Sequence, residues 1–142
     1  MYTGYLLSEN DRNKLASLFP PKNPTWLGHH ITETFGVDAN HPPPKKPSSV
    51  MLIEYLEEDG IEGFLASVDG TVNRPSGGKY HLTWSIDKGK GRKPVDTNNI
   101  VDQGKKLSKP IPLNVEPKTF TKSTEKSLKE YITFLDYLKD YT

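Results

Sequence analysis

In KYHLTWSID (79–87) apolar and polar side chains alternate without a break. Successive strand residues point to opposite faces, so Tyr80, Leu82, Trp84 and Ile86 fall on one side and His81, Thr83 and Ser85 on the other. The apolar side is the expected core face, and the polar row points away from it. HHITETFGV (29–37) repeats the arrangement. His30, Thr32 and Thr34 form its polar row, while Ile31, Phe35 and Val37 mark its core face, which His29 and Glu33 share.

The rest of the chain divides into elements by the same reading. YTGYLL (2–7) predicts a short strand that runs into Ser8, a helix N-cap with Asp11 in the first turn. Leu15, Leu18 and Phe19 follow at helical spacing, and PPKNP (20–24) ends that helix. DANHPPPKKPSS (38–49) is a loop with polyproline character. VMLIEYLEE (50–58) and IEGFLASVDG (61–70), joined by Asp59-Gly60, predict a hairpin, and the His81 strand completes a meander after the turn NRPSGG (73–78). DKGKGRKPVDTNN (87–99) reads as a flexible basic loop, with a short helix or turn at 96–103. The prolines of KPIPLNVEP (109–117) fit only an edge strand. STEKSLKEYITFLDYLKD (123–140) predicts a helix whose stripe of Leu128, Tyr131, Ile132, Leu135 and Leu138 packs on the sheet. Strands interleaved with two helices make a single α+β domain over 1–142 with a mostly antiparallel sheet.

Composition narrows the function. Nineteen Lys and Arg against eighteen Asp and Glu leave a net charge of +1, which supports neither DNA coating nor a membrane-surface role. With no cysteine the chain has no disulfide, no thiolate metal site and no thiol nucleophile. No apolar run is long enough to span a bilayer, and MYTGYLLSENDRNK lacks the features of a signal peptide, so a cytoplasmic location is expected.

Two rows of one imidazole and two hydroxyls suit phosphodiester chemistry if they line one groove. Cleavage needs a base for the attacking hydroxyl or water and an acid for the leaving oxygen. Imidazole, with an unperturbed pKa of about 6.5, fills either role near neutral pH. Hydroxyls donate to the non-bridging oxygens as charge shifts. Neither a metal nor an organic cofactor is required.

HIT at 30–32 and HLT at 81–83 resemble the paired His-x-Thr/Ser motifs of the 2H phosphoesterase superfamily. YTGYLLSENDRNKLASLFPP ahead of the first motif and YHLTWSIDKGKGRKPVDTNN around the second extend the likeness over about residues 1–101. The chain is similar to the short members found in phages and some cellular genomes, often described as RNA-repair-like. The resemblance implies a bilobed sheet, one motif per lobe, with a pseudo-twofold axis through a central cleft. It makes His30 and His81 the acid/base pair and Thr32 and Thr83 the phosphate holders; the polar rows themselves add Thr34 and Ser85 as further substrate contacts. Family substrates are 2′,3′-cyclic phosphates, 2′–5′ linkages and cyclic nucleotides or oligonucleotides, including alarm signals of bacterial immunity that phage members destroy. A cyclic oligonucleotide or cyclic dinucleotide is the expected substrate, with RNA ends bearing a 2′,3′-cyclic phosphate as the enzymatic alternative and a nucleotide-sequestering protein as the non-enzymatic one. The chain is short for the superfamily and its 38–49 loop is proline-rich, which bears on pocket shape.

Other residues add to these candidates. Tyr2 or Trp26 would stack on a base, and KPVDTNN resembles a family loop near the cleft, which makes Asn98 a substrate contact. His29 should face away from His30 and act through it. Lys88, Lys90, Arg92 and Lys93 either draw anions toward the second motif or are solvated. His41 belongs to an exposed loop. A zinc site built from His29, His30, His41 and Asp38 lacks cysteine ligands and the usual histidine spacing, so no metal is expected.

Overall fold

The structure, a computed structural model, describes residues 1–122 and residue 126. The apolar stripe expected on a helix over 123–140 lies outside them. Strand β1 (Tyr2–Leu7) leads into helix α1 (Glu9–Leu18), which Ser8 caps by accepting from the Asp11 amide at 3.2 Å. Only Leu15 of the expected apolar run is buried, and Leu18 is 66 % exposed. The remaining inward position is taken by Arg12, whose Nε donates to the Leu27 carbonyl at 2.8 Å while its guanidinium lies 3.4 Å from the Trp26 ring centre. Trp84 anchors the helix end by donating its indole N–H to the Phe19 carbonyl at 2.9 Å.

Strands β2 (Thr25–Trp26), β3 (His30–Phe35), β4 (Val50–Glu58), β5 (Ile61–Val68), β6 (His81–Ile86), β7 (Lys105–Pro112) and β8 (Val115–Phe120) complete one eight-stranded antiparallel sheet. Its order is β7-β4-β5-β6-β3-β1-β8, with β2 also pairing to β6. The β4–β5 hairpin turns at Asp59-Gly60 as expected, glycine supplying the φ of +81°. The chain is thus α+β with an antiparallel sheet. No helix of the described residues is long and apolar enough to cross a membrane.

The proline-rich stretch expected as one edge strand forms two, at the two opposite edges of the sheet. Pro110 lies in β7 and Pro117 in β8. Each outer strand has a neighbour on one side only, so a missing N–H can point outward without breaking a ladder. Only Leu113 and Asn114 separate them, so the sheet curls until its two edges approach at that end. The short helix or turn expected at 96–103 is a 3-10 helix that begins two residues earlier, at Pro94–Asn99.

The pairing of β1 with β3 and of β5 with β6 repeats residue by residue. Leu6, Tyr5, Gly4 and Thr3 pair with His30, Ile31, Thr32 and Thr34. Leu65, Phe64, Gly63 and Glu62 pair with His81, Leu82, Thr83 and Ser85. Each ladder carries a bulge at the same step, with Glu33 the extra residue in β3 and Trp84 in β6. The two units meet through one residue pair, Ile31 opposite Leu82. Tyr5, Ile31, Leu82 and Phe64 therefore form a row across four strands, all within the main core.

Candidate active site

Ile31 and Leu82 are both fully buried, so their side chains define the core side of the β3–β6 junction. Alternation then sends His30, Thr32, His81 and Thr83 out of the other face. In an antiparallel pair the residues preceding each partner lie diagonally across it. On ideal strand spacing the His30 and His81 Cα atoms are about 8 Å apart, which leaves room for one phosphate between two imidazoles. The rings are close enough that charge on His81 disfavours charge on His30.

Hydrogen bonds orient both rings. His81 Nδ1 lies 2.9 Å from the Lys79 carbonyl, which can only accept, so Nδ1 carries the proton and neutral His81 presents a bare Nε2. His30 Nδ1 lies 2.6 Å from His29 Nδ1. His30 is half-buried, its ring packed 5.1 Å from Tyr2 and 5.3 Å from Phe120. Burial, reinforced by like charge on His29 and His81, holds its pKa well below the usual 6.5. His81 is also lowered, by burial first, with the Lys79 bond opposing and the Arg74 charge adding to the effect. Both rings therefore resist protonation.

Each polar row stops after its threonine, and the matched bulges are the reason. Beyond Glu33 alternation slips, so Thr34 turns its hydroxyl to the Glu33 carboxylate at 3.4 Å. Phe35, expected in the core, emerges 51 % exposed, 6.0 Å from the Tyr2 ring. Beyond Trp84 the same slip buries Ser85 completely. Its hydroxyl donates to Glu62 at 2.7 Å and accepts from the Asn23 backbone at 3.2 Å. Ser85 is thus part of a buried network around the Glu62 carboxylate, which also accepts from Tyr55 and from the Lys22 amide, and it is withdrawn from substrate. Ser85→Ala is expected to cost about 1–3 kcal/mol, because a buried carboxylate loses a donor. Chemical denaturation checks this, and any turnover measured well below the transition should keep its KM.

His29 does not face away from His30. Gly28 donates its amide to the Thr83 carbonyl at 2.9 Å, and the next pair across this junction is Ile31 with Leu82. Two residues, His29 and His30, are therefore accommodated opposite a single step of β6, and alternation fails between them. Gly28 enters this turn at φ +74°, where a Cβ would strike the Trp84 ring. Comparison with family models, with curated proteins and with solved structures finds no match for this chain. What the site can do must come from its own geometry.

Two residues that sequence reasoning passed over lie beside the row. Thr97, fully buried on the 3-10 helix, shares a 2.7 Å hydrogen bond with the Thr83 hydroxyl, which also reaches the Pro94 carbonyl at 3.2 Å. The Pro94 carbonyl can only accept, so Thr83 gives its one proton there and accepts from Thr97; a ligand oxygen receives that proton only by taking the place of the Pro94 carbonyl. Arg74 comes from the 73–78 turn, which Ser76 ties to β3 by donating to the Glu33 carbonyl at 3.0 Å. Its guanidinium lies 5.2 Å from the Phe35 ring centre, donates to Asn98 at 3.4 Å and acts electrostatically on His81. Its Nη1 is buried with no hydrogen-bond partner among the described residues. A GxL signal with an aromatic at x, in TGYLL (3–7) and EGFLA (62–66), would have paired the two halves of the site.

The other candidates divide. Asn98 sits on the Arg74 side of the row. Tyr2 adjoins His30 but has one face stacked on Phe120 at 4.8 Å. Trp26 is removed from the site: Arg12 covers its face, Trp84 meets it edge-on, and its cross-strand partner is Ser85. Lys90 and Arg92 pair with Asp59 and Glu58 at the hairpin turn, at the far end of β6 from His81, so these two do not serve the second motif. His41 is exposed, and its carbonyl accepts from Thr119. Among the described residues no three His, Cys, Asp or Glu side chains are grouped to hold a metal ion.

Proposed function

We propose that this protein is a metal-independent phosphodiesterase of the 2H type acting on a nucleotide. One observation carries the reading. The two His-x-Thr motifs stand in the same register of a repeated strand pair, and project from one face around the Ile31–Leu82 pair. On this reading β3, β1 and β8 form one lobe, β6, β5, β4 and β7 the other, and the phosphate sits where β3 and β6 part. Thr32 and Thr83 donate to its non-bridging oxygens. Arg74, whose charge already acts on His81, supplies the cation. Exposed Phe35, with the Arg74 guanidinium beside it, offers a flat surface for a base.

The favoured substrate is a cyclic oligonucleotide or cyclic dinucleotide, destroyed as a phage counter to a bacterial alarm signal; the likeness to short phage members supports this choice. A ribose 2′-OH attacks the adjacent phosphorus, one imidazole takes its proton and the other protonates the departing 5′-oxygen, leaving a 2′,3′-cyclic phosphate. The test is incubation of purified protein in EDTA with cyclic dinucleotides, larger cyclic oligonucleotides, 2′–5′-linked RNA and RNA ends carrying 2′,3′-cyclic phosphate. Cleavage of a cyclic oligonucleotide is expected. Tight binding without product would instead make the protein a sequestering one, and cleavage only after a divalent metal is restored would overturn the mechanism.

A further inference from the structure

The 2.6 Å approach of His29 Nδ1 to His30 Nδ1 is a bond between two atoms that each change role with tautomer. Two bare nitrogens would repel at that distance and so would two protonated ones, so one proton lies between them. The rings meet edge to edge: their centres are 4.6 Å apart with planes inclined by 21°, which is 4.6 − 2.6 = 2.0 Å further than the nitrogens themselves. Face-on rings would not separate in this way. His29 is held in place by its backbone, whose carbonyl accepts from the Leu7 amide at 2.8 Å, and by the turn at Gly28 that the Trp84 ring leaves no room to alter.

Resting on the phosphodiesterase reading, we propose that His29 and His30 act as one proton-holding pair, which makes His30 the general acid and His81 the general base. The charged state of the pair has three protons on four nitrogens: His29 Nε2–H, His29 Nδ1–H donated to His30 Nδ1, and His30 Nε2–H. His81 begins neutral, Nδ1–H on the Lys79 carbonyl and Nε2 bare. As the 2′-oxygen forms its bond to phosphorus, its proton passes to His81 Nε2. The bond from phosphorus to the 5′-oxygen breaks with its electron pair on oxygen, and His30 Nε2 gives that oxygen its proton. The bridging proton moves from His29 Nδ1 to His30 Nδ1. The pair goes from one positive charge to none and His81 from none to one, so protons and charge balance. His29 touches no reacting atom and is a positioning residue that also stores the proton.

The surroundings fit this use. Tyr2 of β1 and Phe120 of β8 pack on the His30 ring, His81 faces it from β6, and Arg74 acts on His81. Among the described residues the charged groups acting on the two motif rings are His29, His81 and Arg74, all cationic when charged, so His30 resists holding an extra proton. An incoming phosphate anion reverses that balance and loads the acid as the substrate arrives.

Nitrogen-15 NMR of histidine-labelled protein, with and without inorganic phosphate, reads the pair without needing turnover. His81 should show the Nδ1–H tautomer, and the His29 and His30 Nδ1 signals should move together as one shared proton that phosphate stabilises. Independent titration of the two rings would refute the pair. With a substrate that the wild type cleaves, His29→Ala should lower kcat about 10- to 100-fold, displace the alkaline limb of the pH profile and leave KM unchanged. His29→Asn, whose amide can donate to His30 but holds no spare proton, should restore the His30 tautomer and not the rate. Full rate in His29→Asn would reduce His29 to orientation alone. Unchanged kcat and pH profile in His29→Ala, beside inactive His30→Ala and His81→Ala, would overturn this inference and leave the phosphodiesterase reading standing.

Discussion

His30→Ala and His81→Ala should each lower kcat by about 10²–10⁴, the range that a placed acid or base supplies. On the proposed reading the two imidazoles serve one displacement, so the double variant should fall well short of the product of the single losses. The pH dependence follows from the lowered pKa values. In the empty site burial and like charge keep both rings neutral below their usual 6.5. Since kcat/KM requires one ring protonated in the free protein, its maximum lies on the acid side of that value. A bound phosphate anion favours the imidazolium, so the kcat profile should sit at higher pH. Stability follows with the same sign. As pH falls below 6.5 the unfolded chain binds protons that the folded one refuses, and folding loses up to about 1.4 kcal/mol per unit and per histidine until the folded pKa is reached. Denaturation at pH 7.5 and 5.5 should show this slope in the wild type and a shallower one in either alanine variant. A flat rate profile from pH 5 to 9, with chemistry rate-limiting, would rule out paired imidazoles.

Gly4→Ala and Gly63→Ala should each destabilise the protein by about 1–3 kcal/mol or more, through overpacking against backbone that cannot rotate away. Gly4 faces Thr32 across β1–β3, and a Cβ there would meet the Ile31 carbonyl and lie 3.1 Å from the Thr32 Cα. Gly63 faces Thr83 across β5–β6, and its Cβ would come within 2.7 Å of the Leu82 carbonyl and 3.2 Å of Thr97. Relief of either clash shifts a motif threonine, so surviving variants should lose rate as well as stability. Thermal melts beside turnover at low temperature check both. An alanine tolerated at either place with full stability and rate would show that these close approaches do not set the threonines.

The pattern that made this site legible was local, and what stayed hidden was pairing. Alternation placed His30, Thr32, His81 and Thr83 on a shared polar side, because those residues precede the bulges. It failed for Thr34, Phe35 and Ser85, which follow them, since a bulge is a property of two strands and one strand's sequence does not announce it. It failed for His29 because the step from Gly28 to Ile31 is settled by β6. Ser8, Asp59 and Gly60 were readable because caps and tight turns use chemistry close by in the chain. Arg74 and Thr97 reach the site through tertiary folding of turns, and neither carries a periodic signal.

The short link of Leu113 and Asn114 between the outer strands also bears on how the molecule assembles. Val115 pairs with Leu7, a separation of 115 − 7 = 108 residues, and the link lets one late stretch finish both margins. A chain emerging from the ribosome keeps two open ladders until that stretch has been made. Contacts so distant along the chain slow the search for the native state, and nascent intermediates exposing those ladders are where self-association would begin.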